Sequence, residues 1–168
     1  MPLYKNLILI SLMFTNSELF SFEEGVAKNN NVEIYYRDYG PLDGDPILLV
    51  QGLGGQLINW PEHLIEFLIK NNFRPIVFDN RDTGLSSRIP GDSFADEKRG
   101  NTIIRSYIRY YLRLPIQSEY IIDDMANDAI SVLDELNIDK AHILGISMGG
   151  MIAQIIVSSH PARTKTFT

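Results

Sequence analysis

A chain of 168 residues, 45% hydrophobic and 21% charged, is long enough for one domain with a real core. Its 15 Lys and Arg against 21 Asp and Glu give a net charge of −6, which disfavours the grip on phosphates that nucleic-acid binding needs. The absence of cysteine excludes a disulfide framework, a thiolate nucleophile and a Cys-ligated metal, and leaves the redox compartment open.

Residues 1–21 carry Lys5, the apolar run Leu7 to Phe14 and then polar Thr15-Asn16-Ser17, the layout of a secretory signal. An N-terminal strand or a misassigned start codon is the alternative, and no small-x-small cleavage site decides between them. The run is too short to span a bilayer, which needs about 20 apolar residues. A periplasmic or secreted location follows if the segment is a signal, a cytoplasmic one if it is not. Residues 22–168 then form the domain.

Val32 to Arg37 has strand composition, and Gly40-Pro41-Leu42-Asp43-Gly44 is a turn. Pro46 to Val50 and Pro75 to Phe78 are short, continuously apolar runs of the kind buried on both faces of a sheet. Between them Leu64, Ile65, Phe67, Leu68 and Ile69 recur with helical spacing after Pro61, which suits a first turn. An insert over residues 87–118 contains an amphipathic helix, with Ile103, Ile104, Tyr107, Ile108, Tyr111 and Leu112 on one side and Arg105, Arg109 and Arg113 on the other. The arginine row reads as a solvated helix face in preference to an anion site.

A helix from about Tyr120 to Leu136 leads to the strand Ala141 to Leu144, a helix over Met148 to Ser159 stopped by Pro161, and the start of a sixth strand at Thr164 to Thr168. Alternating strands and helices predict an α/β fold, a mostly parallel sheet with helices on both faces.

Gly145-Ile146-Ser147-Met148-Gly149 lies between the apolar strand and the last helix, the setting of a nucleophile elbow. Such a serine sits at a strained backbone angle, and the residues two positions away must lack side chains for strand and helix to approach. A phosphate-binding turn is the alternative, but the lysine of a Walker loop is missing. Gln51-Gly52-Leu53-Gly54-Gly55 follows the first buried strand, where backbone N–H groups can face a developing oxyanion. The N–H groups of Leu53 and Met148 are the candidate pair, Met148 also standing at the positive end of its helix. Asp79 is expected to order the turn that follows it by side-chain to backbone hydrogen bonds, and Arg81 to pair locally with Asp82.

These stretches, with Phe78-Asp79-Asn80-Arg81-Asp82-Thr83-Gly84-Leu85-Ser86-Ser87 and Asp123-Asp124-Met125-Ala126-Asn127-Asp128-Ala129, resemble the alpha/beta-hydrolase superfamily, and more closely its aclacinomycin methylesterase-like serine hydrolases. The resemblance runs from about Glu33 to Thr168. It implies Ser147 as nucleophile, an oxyanion hole from Leu53 and Met148, a small acyl or ester substrate, and no cofactor or metal. Gln51 stands where many members have histidine, and the insert corresponds to a region near the site mouth. Relatives with cofactor-free oxidative chemistry use the same elbow, so hydrolysis is implied at the level of the fold.

The resemblance also implies a triad acid and histidine on later strands, in the order Ser, Asp or Glu, His. His63 lies on the first helix, His142 inside the strand before the elbow, and His160 at the far end of the last helix; none is expected to act as the base. The expectation is therefore an incomplete hydrolase, close to inactive alone and completed by a complementary C-terminal half, or else a non-catalytic remnant that binds a small hydrophobic ligand or a partner chain.

Overall fold

The computed structural model describes residues 21–90, 107–114 and 118–168. The signal-like segment and the first part of the insert's helix thus lie outside the described residues, apart from Ser21. Six strands form one sheet: β1 (Glu23–Asn29), β2 (Val32–Asp38), β3 (Asp45–Val50), β4 (Phe73–Phe78), β5 (Ala141–Gly145) and β6 (Thr164–Phe167), in the spatial order β1-β2-β4-β3-β5-β6. Pairings β4–β3, β3–β5 and β5–β6 are parallel, and the β1–β2 hairpin joins antiparallel through β2 to β4. Helix α1 (Glu62–Lys70) connects β3 to β4, α2 (Ile122–Glu135) precedes β5, and α3 (Met148–Ser159) connects β5 to β6.

The sheet separates two apolar clusters, and the central strands feed both. Along β3, Leu48 and Val50 pack with α2 and α3, whereas Ile47 and Leu49 pack with Leu57, Trp60, Ile65 and Leu68 on the other face. Along β4, Ile76 and Phe78 join the first cluster and Val77 the second. Side chains alternate across a strand, so a strand covered on both sides must be apolar at every position. That is the physical content of the unbroken apolar runs in the sequence.

The edge hairpin was not legible in the same way. Strand β1 keeps only Ala27 buried, and its turn uses Asn30 at φ 54°, a left-handed angle that asparagine tolerates. It is fastened by the register Glu23↔Asp38 to Asn29↔Val32. Strand β2 is tied to β4 by the buried Arg74, whose Nε and Nη2 donate to Asp38 Oδ2 at 3.0 and 2.5 Å. Helix α1 begins at Glu62 with Pro61 just outside it, and Phe67, read as an apolar-face residue, is 61% exposed.

Candidate functional site

Strand β5 ends at Gly145 and α3 begins at Met148, leaving two residues to reverse the chain. Ser147 absorbs the reversal at φ 57°, ψ −121°, outside the wells open to ordinary L-residues. The turn closes through Ile146 N–H to Val50 O at 3.1 Å and Gly149 N–H to Ile146 O at 2.9 Å. A Cβ on Gly145 would stand 2.3 Å from the Gly149 carbonyl oxygen, so only glycine permits this approach of strand and helix. Ser147 is exposed at the C-terminal edge of the sheet.

The Gln51–Gly55 loop lies against this turn. A Cβ on Gly52 would be 3.1 Å from Ser147 Cβ and 3.5 Å from its Oγ. Gly55 N–H donates to Gly52 O at 3.1 Å, and Asn80 Nδ2 donates to the Gln51 carbonyl at 3.1 Å, anchoring the loop to the end of β4. Met148 occupies the first turn of α3, where backbone N–H groups have no intrahelical partner and the helix end is electropositive. Leu53 and Met148 both line a cleft of about 510 Å³, with Gly54, Arg81, Asp82, Thr83, Ser118, Tyr120, Ile121, Ile122 and Met125.

Asp79 has the structural role its position predicts. Its Oδ1 accepts from Leu57 N–H at 2.7 Å, its Oδ2 from Leu85 N–H at 2.9 Å, and its carbonyl from Ser86 Oγ at 2.6 Å. It is 2% exposed, a buried carboxylate held by backbone donors. Gly84 fits over it at φ 52°, where a Cβ would meet Asp79 Oδ2 at 1.9 Å.

The local Arg81–Asp82 pair does not form. Arg81 reaches across to α2, where its Nε and Nη2 donate to the two oxygens of Asp128 at 2.6 and 2.8 Å, and Nη2 also donates to Asp124 O at 3.2 Å. Asn29 Nδ2 donates to the same Asp128 carboxylate at 2.8 Å, and the guanidinium stands 5.0 Å from the Tyr120 ring centroid. Burial opposes the Arg81 cation, but the hydrogen bonds and charge of Asp128 outweigh it and hold its pKa above the ordinary arginine range. Asp82, at φ 64°, instead accepts from Ile89 N–H at 2.6 Å. A geometrically matched carboxylate one helix away outcompetes the adjacent one because a two-point pair needs a planar fork to meet a carboxylate face-on.

The three histidines lie away from the elbow. His63 is exposed on α1. His142 bridges Thr166 Oγ1 at 2.6 Å and Asp45 Oδ2 at 3.1 Å, with Phe73 edge-on to its ring. His160 closes α3 and contacts Asn127 Oδ1 at 3.2 Å, about 20 Å from Ser147 at 1.5 Å of helix rise per residue. Among the described residues no group of three or more His, Cys, Asp or Glu is placed to hold a metal ion, and no helix is long and apolar enough to cross a membrane.

Rhodomycin D methylesterase DnrP of Streptomyces peucetius is 30% identical over 156 residues, which is 93% of this chain and 40% of that protein. The 3-oxoadipate enol-lactonase 2 of Acinetobacter baylyi is 26% identical over 145 residues, 86% of this chain and 43% of that one. Among solved structures, Est816, described as an N-acyl homoserine lactone degrading enzyme, superposes with a TM-score of 0.60 at 28% identity, covering 85% of this chain and 43% of that chain. Epoxide hydrolase A from Mycobacterium thermoresistibile shares the fold with a TM-score of 0.66 at 18% identity, over 88% of this chain and 38% of that chain. This chain therefore spans well under half the length of these relatives. The family model for the alpha/beta hydrolase fold matches residues 45–168, which take in the oxyanion-loop candidate, β4, α2 and the elbow. The chain belongs to the alpha/beta hydrolase fold family.

Proposed function

We propose that Ser147 is the nucleophile of a serine hydrolase acting on carboxylic esters or related acyl compounds, with the N–H groups of Leu53 and Met148 receiving the oxyanion. The backbone of Ser147 at φ 57°, ψ −121° is the observation that carries this reading, because an angle so costly to a serine is kept where it presents Oγ at the sheet edge. The proximity of Gly52 to Ser147 supports the oxyanion assignment. Relatives named as a methylesterase and an enol-lactonase support ester chemistry.

His63, His142 and His160 are all committed elsewhere or distant, so we infer that the triad acid and base come from protein outside these 168 residues. Loss of the histidine costs about 10⁶ in turnover in a serine triad, or about 8 kcal/mol of barrier, so these residues alone should be nearly inert. The cleft does not depend on a base, and its Leu53, Tyr120, Ile122, Met125 and Met148 walls equally support binding of a small hydrophobic ligand without turnover.

A fluorophosphonate probe tests the reading. The purified chain should label slowly, label at least 100-fold faster when a C-terminal portion carrying the acid and histidine is co-expressed, and not label in Ser147→Ala under either condition. Rapid labelling of the lone chain would overturn the assignment of the base to other protein, and labelling that survives Ser147→Ala would overturn the nucleophile.

A further inference from the structure

Residues 107–111 are helical and the turn ends in a defined cap. Leu114 N–H donates to Arg109 O at 2.8 Å, Arg113 N–H donates to Tyr110 O at 3.0 Å, and Arg113 takes φ 55°. This is the paired-bond ending in which a left-handed residue, usually glycine, closes a helix. A folded turn with this ending would normally put its apolar face into a core. Here Tyr107, Tyr110 and Tyr111 are 73%, 72% and 82% exposed, and Ile108, Leu112 and Leu114 are exposed as well.

The charge around these side chains is as unusual as their exposure. No Asp or Glu lies between Glu97 and Glu119, while Lys98, Arg99, Arg105, Arg109 and Arg113 all fall in that interval of a chain with net charge −6. The excess positive charge is thus concentrated beside the exposed tyrosines and aliphatic residues.

We propose that the 107–114 turn is a docking surface for anionic lipid membranes. Tyrosine places an apolar ring and a polar tip at the level of lipid headgroups, leucine and isoleucine reach the acyl boundary, and arginine pairs with lipid phosphates while its stem lies along apolar surface. Charge complementarity selects an anionic bilayer over a neutral one. A specific protein interface uses about 20–30 residues a side, far more than this eight-residue stretch, whereas a fluid lipid surface sets no such minimum. Polynucleotide would satisfy the arginines but leave Ile108, Leu112 and Leu114 in water. Ser118 and Tyr120, which follow in the chain, line the cleft, so a bilayer held here would lie along the approach to it.

Sedimentation of the purified 168-residue chain with lipid vesicles tests the proposal. Binding should be at least tenfold stronger to phosphatidylcholine vesicles with about a third phosphatidylglycerol than to phosphatidylcholine alone, and should fall away as salt approaches about 0.5 M. One basic residue near an anionic surface contributes about fivefold in affinity, so Arg109→Gln/Arg113→Gln should weaken binding by roughly 30-fold. Tyr107→Ser/Tyr111→Ser should weaken it on both kinds of vesicle. In Tyr111→Trp, the indole emission should shift to the blue on binding and be quenched by brominated lipid. Equal binding to neutral and anionic vesicles, indifference to the arginine substitutions, tighter binding of a single-stranded RNA, or self-association that ignores vesicles would each overturn it. None of these readings depends on the reactivity of Ser147.

Discussion

Gly149 rests against Val50 so closely that a Cβ at position 149 would lie 2.1 Å from the Val50 carbonyl oxygen and 2.8 Å from that of Gln51. Both atoms belong to backbone, so nothing at the end of β3 can swing aside. Gly149→Ala should cost more than about 3 kcal/mol or prevent soluble folding, and Gly145→Ala should do the same. Gly150 is the control: its nearest neighbour would be Gly145 O at 3.6 Å, ordinary contact, and alanine there should be neutral or stabilising by up to about 1 kcal/mol through helix propensity. Urea unfolding of the three variants checks the contrast, and similar losses in all three would show that packing at the elbow is not what requires glycine.

The angle at Ser147 makes a prediction of opposite sign. Glycine accepts φ 57°, ψ −121° where serine does not, so Ser147→Gly should raise stability by about 1 kcal/mol, while Ser147→Ala, which keeps a Cβ, should not. Urea midpoints measure both. A destabilised Ser147→Gly would mean that the serine side chain contributes more to the fold than its backbone angle costs.

The Arg81–Asp128 pair should respond unequally to its two sides. Asp128→Ala leaves a buried guanidinium without its carboxylate and should cost about 3–5 kcal/mol. Asn29→Ala removes one of the donors to the same carboxylate and should cost about 1 kcal/mol. Thermal melts of both variants decide the matter, and equal effects would show that the charge is not what makes Asp128 important.

Acid should act through Asp45. Lys165 beside it, and then the His142 ring, hold its carboxyl below the usual aspartate range. The ionised group is favoured in the folded state, so its contribution is fully present above the ordinary aspartate pKa and is lost as pH falls through the depressed value. The carboxylate is substantially exposed, and its contribution is well under about 1 kcal/mol. The melting temperatures of wild type and Asp45→Asn should differ near neutrality and converge below about pH 4. Lys165→Met should remove most of the difference.

Much of this fold is written in local patterns. The boundaries of α3 follow from Ser147 before it and Pro161 after it, and β3 and β4 announce themselves because a strand covered on both faces has no polar position to spare. The β1–β2 hairpin gave no such signal, because a half-exposed edge strand such as Glu-Glu-Gly-Val-Ala-Lys-Asn needs only one buried side chain. Asp128 was hidden for a different reason. On an apolar helix face a carboxylate makes sense only when its arginine, 47 positions earlier, is known to arrive. The candidate site divides in the same way: Ser147 and its glycines are local chemistry, whereas the Asn80 brace on Gln51 and the membership of the cleft wall are long-range consequences of the sheet order.

That sheet order also sets the pace of assembly. Asp45 and His142, which meet where β3 pairs with β5, are 97 positions apart, and β5 carries the elbow. The hairpin can form as soon as β2 leaves the ribosome, but the centre of the sheet has to wait for α2 and β5 to be synthesised. Distant pairing of this kind slows folding because the entropy of closing the intervening chain is lost before any contact compensates it. At a synthesis rate of about 5–20 residues per second, the apolar faces of β3 and β4 stay uncovered for seconds on every nascent chain. The nucleophile strand thus closes the sheet, and the interval before it arrives is when chaperone capture or aggregation would take its toll.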